Sequence, residues 1–385
     1  MANRRAALAP FLDNELPAMV DDARLFAGSA GESPSKYSRS PGMWNAAFRA
    51  VGLDAAYVPF DIRTEHLTSF VKTVRELPGF IGGNVTVPHK LAIMELLDEI
   101  DPIAAQIGAV NTYTRTPDGR LIGYNSDAGG LLASMLRAMP GSPGPFLQTL
   151  ANAHVLQLGS GGAARAAAFI IAGQLDGGTL AITNRTMGTA EALAAQVSSA
   201  HPGVSAVTYA DAMVLLPQID IVVNTSTVGQ SGLRHLPDGR ITTLEPFSSL
   251  APADPVITQP TADDHVQSTS LRPHDPQAWF MDRLIADSRT AIERNNAEAT
   301  QALLTCKPGA AFVDAVYSPD ETVLLRQARL AGFKTLNGKG MLIMQAADSF
   351  VKRMTRPHLI EMGLDPDALF DRVVETMAEA FDAQN

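Results

Sequence analysis

His154-Val155-Leu156-Gln157-Leu158-Gly159-Ser160-Gly161-Gly162-Ala163-Ala164-Arg165 decides the fold. An apolar, strand-like run enters a glycine-rich turn, and an alanine-rich helical pattern leaves it. Gly159 allows the tight turn, and Gly161 lets the backbone come close to a pyrophosphate. The helix that follows offers free N–H groups and the positive end of its dipole. Ala164 stands at the third position of the G-x-G-x-x-G/A fingerprint. Such a glycine pattern alone also serves plain turns; its strand–turn–helix setting makes it read as a dinucleotide site.

Working outward, strands are expected at 154–158, 179–183, 204–209, 219–224 and 311–316, with helices at 163–173 and 189–199 between them. Strand alternating with helix argues for a parallel sheet. The end of the second strand distinguishes the dinucleotides, because an NAD site carries Asp or Glu there for the ribose 2′-OH. This chain has Thr183-Asn184-Arg185-Thr186 and no carboxylate. Arg185 can stack on adenine and clamp a 2′-phosphate, with Thr186 donating a hydroxyl. That favours NADP; NAD, with Arg185 as a surface residue, is the alternative. The run Ile221-Val222-Val223-Asn224-Thr225-Ser226-Thr227 carries a buried strand into a polar turn. Asn224 either faces a ligand crevice or satisfies its own backbone.

The N-terminal half gives a second α/β series. Strands are expected at 25–27, 56–60 and 83–87, helices at 41–51, 67–76, 91–99 and 127–139, and a hairpin at 112–124 around Pro117-Asp118-Gly119. Ser40 reads as the N-cap and Pro41 as the first position of the helix at 41–51. Gly82-Gly83-Asn84-Val85-Thr86-Val87-Pro88-His89-Lys90 places a lysine just after a strand end. A lysine held on a rigid scaffold and partly desolvated can give or take a proton near neutral pH. Tyr37-Ser38-Arg39-Ser40-Pro41 offers two hydroxyls to a carboxylate beside a helix start. Asp127 taken alone reads as a helix N-cap.

With 385 residues, 46% hydrophobic and 18% charged, the chain can fill two cores. Its net charge of −10 argues against a nucleic-acid or anionic-membrane partner, so an anionic ligand needs local donors. The lone Cys306 fits a reducing compartment and makes no zinc spacing, so no metal is expected. No run reaches the roughly 18 apolar residues of a membrane helix. Arg4 and Arg5 precede no unbroken apolar stretch, and the first 23 residues read as an extension rather than a secretory leader. A cytoplasmic location follows, and a homodimer is compatible with the sequence. Pro140-Gly141-Ser142-Pro143-Gly144-Pro145 reads as a linker. The stretch 231–274, rich in Pro, Asp, Ser and Thr, reads as a long loop or partly disordered excursion. Helices are expected at 279–304, from 340 onward, and at 366–381.

In order along the chain, these segments resemble the shikimate dehydrogenase family, including its quinate/shikimate members. The family's Asn-Val-Thr-x-Pro-His-Lys stands at 84–90 and its Gly-Ala-Val-Asn-Thr at 108–112. Its Asn-Thr-Asp appears as Asn125-Ser126-Asp127, its glycine turn at 159–163, and its Asn-Arg-Thr at 184–186. Asp-x-Val-Tyr-x-Pro stands at 314–319 and Gly-x-Gly-Met-Leu…Gln at 338–345. The resemblance implies that Lys90 and Asp127 form the catalytic pair. It implies that Ser38, Ser40, Thr86, Asn111, Tyr317 and Gln345 hold a cyclic polyol acid. NADP would lie on Gly159, Ser160, Gly161, Gly162, Ala163, Asn184, Arg185, Thr186, Thr225 and Ser226, with Gly338 near the nicotinamide. The sequence departs from the family at Tyr37 and Trp44, where histidines are usual, at Gln230, a frequent Met, and in the length of 231–304. Tyr37 and Trp44 flank the substrate segment and bear on ring specificity.

The expected architecture is α/β in two domains. An N-terminal α/β substrate domain takes 24–138 plus 341–385, and a Rossmann-like NADP-binding domain takes 150–340 with a long insertion at about 231–304. A cleft lies between the two. The implied reaction interconverts shikimate and 3-dehydroshikimate by hydride transfer. A quinate or amino-shikimate dehydrogenase, and a non-catalytic ligand-sensing relative, are the competing readings.

Overall fold

In the computed structural model, which describes residues 3–236 and 238–384, the chain divides into two units. The first holds Met1–Gln148, Arg165–Ile170 and Gly340–Asn385; the second holds Thr149–Ala164 and Ile171–Lys339.

The first unit is built on β1 (Leu25–Gly31), β2 (Ala55–Asp61), β3 (Phe80–Val85), β4 (Glu99–Ile100), β5 (Thr112–Arg115) and β6 (Leu121–Tyr124). They form one six-stranded sheet in the order β2-β1-β3-β5-β6-β4. β1 pairs in parallel with β2 and β3, while the β3–β5 and β5–β6 pairings are antiparallel. Apolar residues of the helix Leu67–Glu76 at helical spacing, Leu67, Phe70, Val71 and Val74, bury against Phe26, Phe60, Phe80 and Tyr113 of the sheet.

The second unit carries β7 (His154–Leu158), β8 (Thr179–Thr183), β9 (Val204–Ala206), β10 (Ile221–Asn224), a short hairpin β11 (Arg234–His235) and β12 (Ile241–Thr242), then β13 (Ala311–Asp314) and β14 (Lys334–Leu336). Its main sheet is ordered β14-β13-β10-β7-β8-β9 and every pairing in it is parallel. Counted from β7, this is the doubly wound Rossmann order. The strand order reverses between β7 and β10, and ligands bind such folds outside the carboxyl ends at that point. The strands are nearly all apolar because helices cover both faces of such a sheet.

Several local expectations are corrected. The segment expected as a helix at 91–99 is a 3-10 turn, Ala92–Leu96, followed by β4. Asp98 decides this: its carboxylate accepts the Leu121 N–H at 2.7 Å and its own N–H bonds Leu121 O, which draws the chain onto the sheet. The third strand of the second unit stops at Ala206, because Thr208 caps a helix, Tyr209–Leu215. Within 231–274 the structure places the β11–β12 hairpin and a helix, Ala262–Leu271. Thr261 and Asp264 cap that helix reciprocally, so side chains read as loop-formers are helix starters. The helix expected at 279–304 is two, Pro276–Asp287 and Arg289–Leu303, separated at Ser288, whose hydroxyl accepts the Val256 N–H.

The first 23 residues are more than an extension. Leu8, Leu16 and Val20 join the sheet's core. Arg4, only 9% exposed, lies over Phe26 and donates to four carbonyls, those of Val20, Ala23, Arg24 and Pro78. Removing a buried guanidinium strands those acceptors. Arg4→Ala is expected to lower unfolding free energy by roughly 2–4 kcal/mol, read by denaturant titration; a change within error would show the segment to be loosely attached.

Candidate active site

Lys90 owes its place to the chain just before it. Thr86 N–H bonds Ala30 O at 2.9 Å, continuing the β1–β3 pairing past the end of β3. His89 is buried; its Nε2 bonds the Ile62 carbonyl at 2.7 Å, and burial holds its pKa below the usual imidazole value. A carbonyl can only accept, so Nε2 carries the proton. Val110 N–H bonds Lys90 O at 2.9 Å. The lysine backbone is thus tied on both sides.

Asp127 opens the helix Asp127–Leu136, and Ser126 occupies the N-cap position. Lys90 Nζ donates to Asp127 Oδ2 at 2.6 Å, with side-chain exposures of 15% and 5%. Charge-assisted bonds of this length are the stronger kind. The other oxygen, Asp127 Oδ1, accepts Asn111 Nδ2 at 2.8 Å, and the same nitrogen lies 2.8 Å from Gln345 Oε1. Gln345 arrives on the helix Lys339–Asp348. That approach depends on Gly130, where a Cβ would sit 2.8 Å from Met341 O and 2.9 Å from Gln345 N. Four residues remote in sequence, Lys90, Asn111, Asp127 and Gln345, therefore form one hydrogen-bonded group.

The remaining substrate candidates are less joined. Ser38 Oγ accepts the Ser40 N–H at 3.2 Å. Ser40 is itself the first helical residue, with Arg39 at the N-cap, so its expected capping role passes to Ser38. Tyr37 is 46% exposed, and its hydroxyl lies beside Thr86. Trp44 is fully buried and stacks on Tyr57 at 4.7 Å between ring centroids, so it is a core residue. Tyr317 belongs to the second unit, in the segment after β13.

At the switch point of the second unit, Gly159 has φ +108°, and a Cβ there would meet Ser226 N at 2.9 Å. Only glycine suits both demands. A Cβ at Gly161 would meet nothing within 4 Å, which leaves the turn before the helix Gly162–Ala172 open to a ligand. Thr225 Oγ1 donates to Leu158 O at 3.0 Å, joining the ends of β10 and β7. Past the end of β8, Arg185 and Thr186 follow Asn184 in the turn before the next helix, Met187–Ser198. Thr189, which sequence reasoning passed over, lies 2.8 Å from Ser160 Oγ and 2.7 Å from Asn184 Nδ2. It ties the glycine turn to the β8 turn. Gly338 packs on the Ala315 carbonyl, where a Cβ would stand 2.1 Å away. The glycine cradle, and an arginine after β8 with no carboxylate beside it in sequence, fit a phosphorylated dinucleotide.

Asn224 is fully buried, and its bonds follow the turn-forming reading. Its Oδ1 accepts the Ser226 N–H, closing a local turn, while its Nδ2 donates to Asp314 Oδ1 at 2.9 Å across the β10–β13 pairing. Asp314 is fully buried and also accepts the Val316 N–H and the Thr322 hydroxyl. Burial pushes its pKa up to about 7, against the pull of those three donors.

Residues 32–113 match the family described as the shikimate dehydrogenase substrate binding domain. A shikimate dehydrogenase (NADP(+)) of Methanococcus maripaludis is 30% identical over 332 residues, 86% of this chain and 92% of the relative. The chain belongs to the shikimate dehydrogenase family. A second relative so named, from Shouchella clausii, is 32% identical over 82% of this chain and 87% of its own. A shikimate dehydrogenase solved with NADP+ superposes with a TM-score of 0.65 and 28% identity, covering 96% of this chain and 99% of that one. The Thermus thermophilus shikimate 5-dehydrogenase, solved with NADP(H) and shikimate, gives 0.61 and 26%, covering 94% and 100%. Quinate dehydrogenase from Corynebacterium glutamicum, solved with NAD, gives 0.62 and 25%, covering 93% and 99%. Among the described residues no group of His, Cys, Asp and Glu could hold a metal ion, and no helix is long and apolar enough to cross a membrane.

Asp314 gives a pH test of this shikimate dehydrogenase fold. An acid whose folded pKa lies above its unfolded value contributes stability that is intact below about pH 4 and lost as pH rises through about 7. Asp314→Asn should flatten the fall in melting temperature between about pH 4 and 7 relative to the parent chain, a window set by the ordinary and raised values. Parallel curves for the two proteins would remove Asp314 as the titrating group.

Proposed function

We propose that this chain is an NADP-dependent shikimate dehydrogenase, an oxidoreductase acting on CH–OH that interconverts shikimate and 3-dehydroshikimate. The carrying observation is the Lys90–Asp127 pair, 2.6 Å apart and shielded from solvent, in a chain of this family. The first unit holds the ring acid, and the second holds NADP.

An ammonium has three N–H donors, and Lys90 gives one to Asp127. The others serve the hydroxyl oxygen of the substrate, where negative charge develops as the ketone forms. The hydroxyl proton passes to the Lys90–Asp127 pair. Asp127 holds the ammonium in place and bonds the same hydroxyl. Asn111 and Gln345 bind the remaining ring oxygens beside the pair. Ser38 and Ser40 take the carboxylate, with Thr86 and Tyr317 completing the set. Bound NADP supplies the hydride acceptor at nicotinamide C4. Gly159, Ser160, Gly161, Gly162 and Ala163 receive its pyrophosphate, and Asn184, Arg185 and Thr186 its adenosine 2′-phosphate. Thr225, Ser226 and Gly338 flank the cofactor's redox end. The lone cysteine accords with a cytoplasmic enzyme.

A second reading, oxidation of quinate or an amino-shikimate, is kept by Tyr37, whose hydroxyl stands beside Thr86 in the proposed acid pocket. Absorbance at the NADPH band, with shikimate and quinate each run against NADP and NAD, separates these readings. Binding of ring acid without turnover of any would favour a sensor.

Lys90→Ala should lower kcat by about two to four orders of magnitude while leaving NADP affinity unchanged in a fluorescence titration. Near-normal turnover would refute the assignment. For Arg185→Ala, the expectation is that KM for NADP rises by roughly tenfold or more and KM for NAD does not; equal changes for both cofactors would refute the 2′-phosphate role.

A further inference from the structure

Asn111 has a side chain whose hydrogen-bond direction is forced. Its Oδ1 accepts the Ser126 peptide N–H at 2.7 Å, and a peptide N–H can only donate. The other terminal atom is therefore Nδ2, whose nearest acceptors are Asp127 Oδ1 and Gln345 Oε1, each at 2.8 Å, with Ser126 Oγ at 3.0 Å. Gln345 is thereby set with its carbonyl oxygen toward Asn111 and its Nε2 amino group turned away.

A second line of donors reaches the same oxygen from the core. Asn84 Nδ2 faces the Asn111 backbone carbonyl, which fixes its amide orientation. Tyr57 OH then donates to Asn84 Oδ1 at 2.7 Å, and Asn84 Nδ2 donates to Thr112 Oγ1 at 2.9 Å. Thr112 Oγ1 lies 3.0 Å from Ser349 Oγ, and Ser349 Oγ lies 3.0 Å from Ser126 Oγ. Ser126 Oγ lies 3.3 Å from Gln345 Oε1. Ser349 gives its proton to Ser126, so Thr112 is the donor to Ser349; Thr112 Oγ1 also lies 3.2 Å from Ser126 Oγ, a longer direct contact. The donors run one way: Tyr57, Asn84, Thr112, Ser349, Ser126, Gln345. Ser349 follows Gln345 by one helical turn and so shares its face. It opens the π-helical turn Ser349–Met354 and is fully buried.

We propose that Ser349 is a positioning residue for substrate recognition, its hydroxyl linking the chain of donors that holds Gln345 with N–H groups presented to a substrate oxygen. This rests on the reading of Gln345 as a substrate-binding residue. Without that hydroxyl, Ser126 keeps only the longer 3.2 Å contact from Thr112, its proton can turn to Asn111 Oδ1, 3.3 Å away, and Gln345 Oε1 is left with the Asn111 bond. The amide keeps its orientation through Asn111 alone and is held less firmly against the substrate oxygen. Tyr57, stacked under Trp44, is the fixed origin of the chain. Its burial raises the phenol pKa well above the ordinary value, so it remains a donor.

The test compares Ser349→Ala and Ser349→Thr in the parent chain and in a Gln345→Ala background. Ser349→Ala should raise KM for shikimate by about three- to tenfold, the effect of one hydrogen bond, without changing KM for NADP. Ser349→Thr, which keeps the hydroxyl, should recover most of the loss. In the Gln345→Ala background Ser349→Ala should add nothing, since both changes break one linkage. The Gln345 side-chain 1H–15N signals, recorded without substrate, should shift and exchange faster in Ser349→Ala. The proposal is overturned by an unchanged shikimate KM, by a full second loss on the Gln345→Ala background, or by a lowered melting temperature with unmoved Gln345 signals. A parent chain that turns over no shikimate would instead sink the functional reading, and the Gln345 signals would still decide the role of Ser349.

Discussion

The Ser126 peptide N–H donates to Asn111 Oδ1, and the order of the first unit's site descends from that bond. It leaves Asn111 with only protons to offer, so its partners Asp127 and Gln345 must accept. Asp127 then takes bonds from Asn111 on one oxygen and Lys90 on the other. A buried ion pair is weak support for stability, because desolvation offsets the attraction. Its value here is geometric: a lysine held at one place with donors in reserve.

The second unit repeats the device with a different outcome. Asn224, like Asn111, sits at a strand end, and each carboxamide joins a buried aspartate to a neighbouring turn. Asp314 has donors around it but no cation among its bonds. Burial therefore dominates and its pKa rises to about 7. One arrangement joins the carboxylate to a lysine, and the other ties β10 to β13 beside the glycine turn.

The second unit was legible because its signal is periodic and local. Gly159 and Gly161 sit on a strand–turn–helix, and the structure gives Gly159 a steric reason while leaving the space above Gly161 open. Lys90 and Asp127 were legible only through family motifs, since nothing in their spacing shows that 37 positions fold to a 2.6 Å contact. Asn84, Thr112 and Ser126 were quoted in motifs without a role, and Ser349 was not named, because a buried hydroxyl or amide carries no pattern until its partners are placed. Trp44 was read beside the substrate because its sequence neighbours are there; its side chain lies on the core side of the helix Ser40–Val51. The excursion at 231–304 misled through composition, since Thr261, Asp264 and Asp275 are residues of loops and of helix starts alike.

Asn111 and Gln345 lie 234 positions apart, and Gly130 admits the late helix that brings them into contact. A ribosome makes the chain in one direction. The sheet of the first unit can therefore be translated in full while Asn111 and Asp127 still lack the glutamine that completes their set. During that interval the growing polypeptide carries a polar hollow and an uncovered apolar face, both of which persist until the last helices emerge and dock. The hydrogen-bonded group of Lys90, Asn111, Asp127 and Gln345 is thus closed only after the helix Lys339–Asp348 has been made.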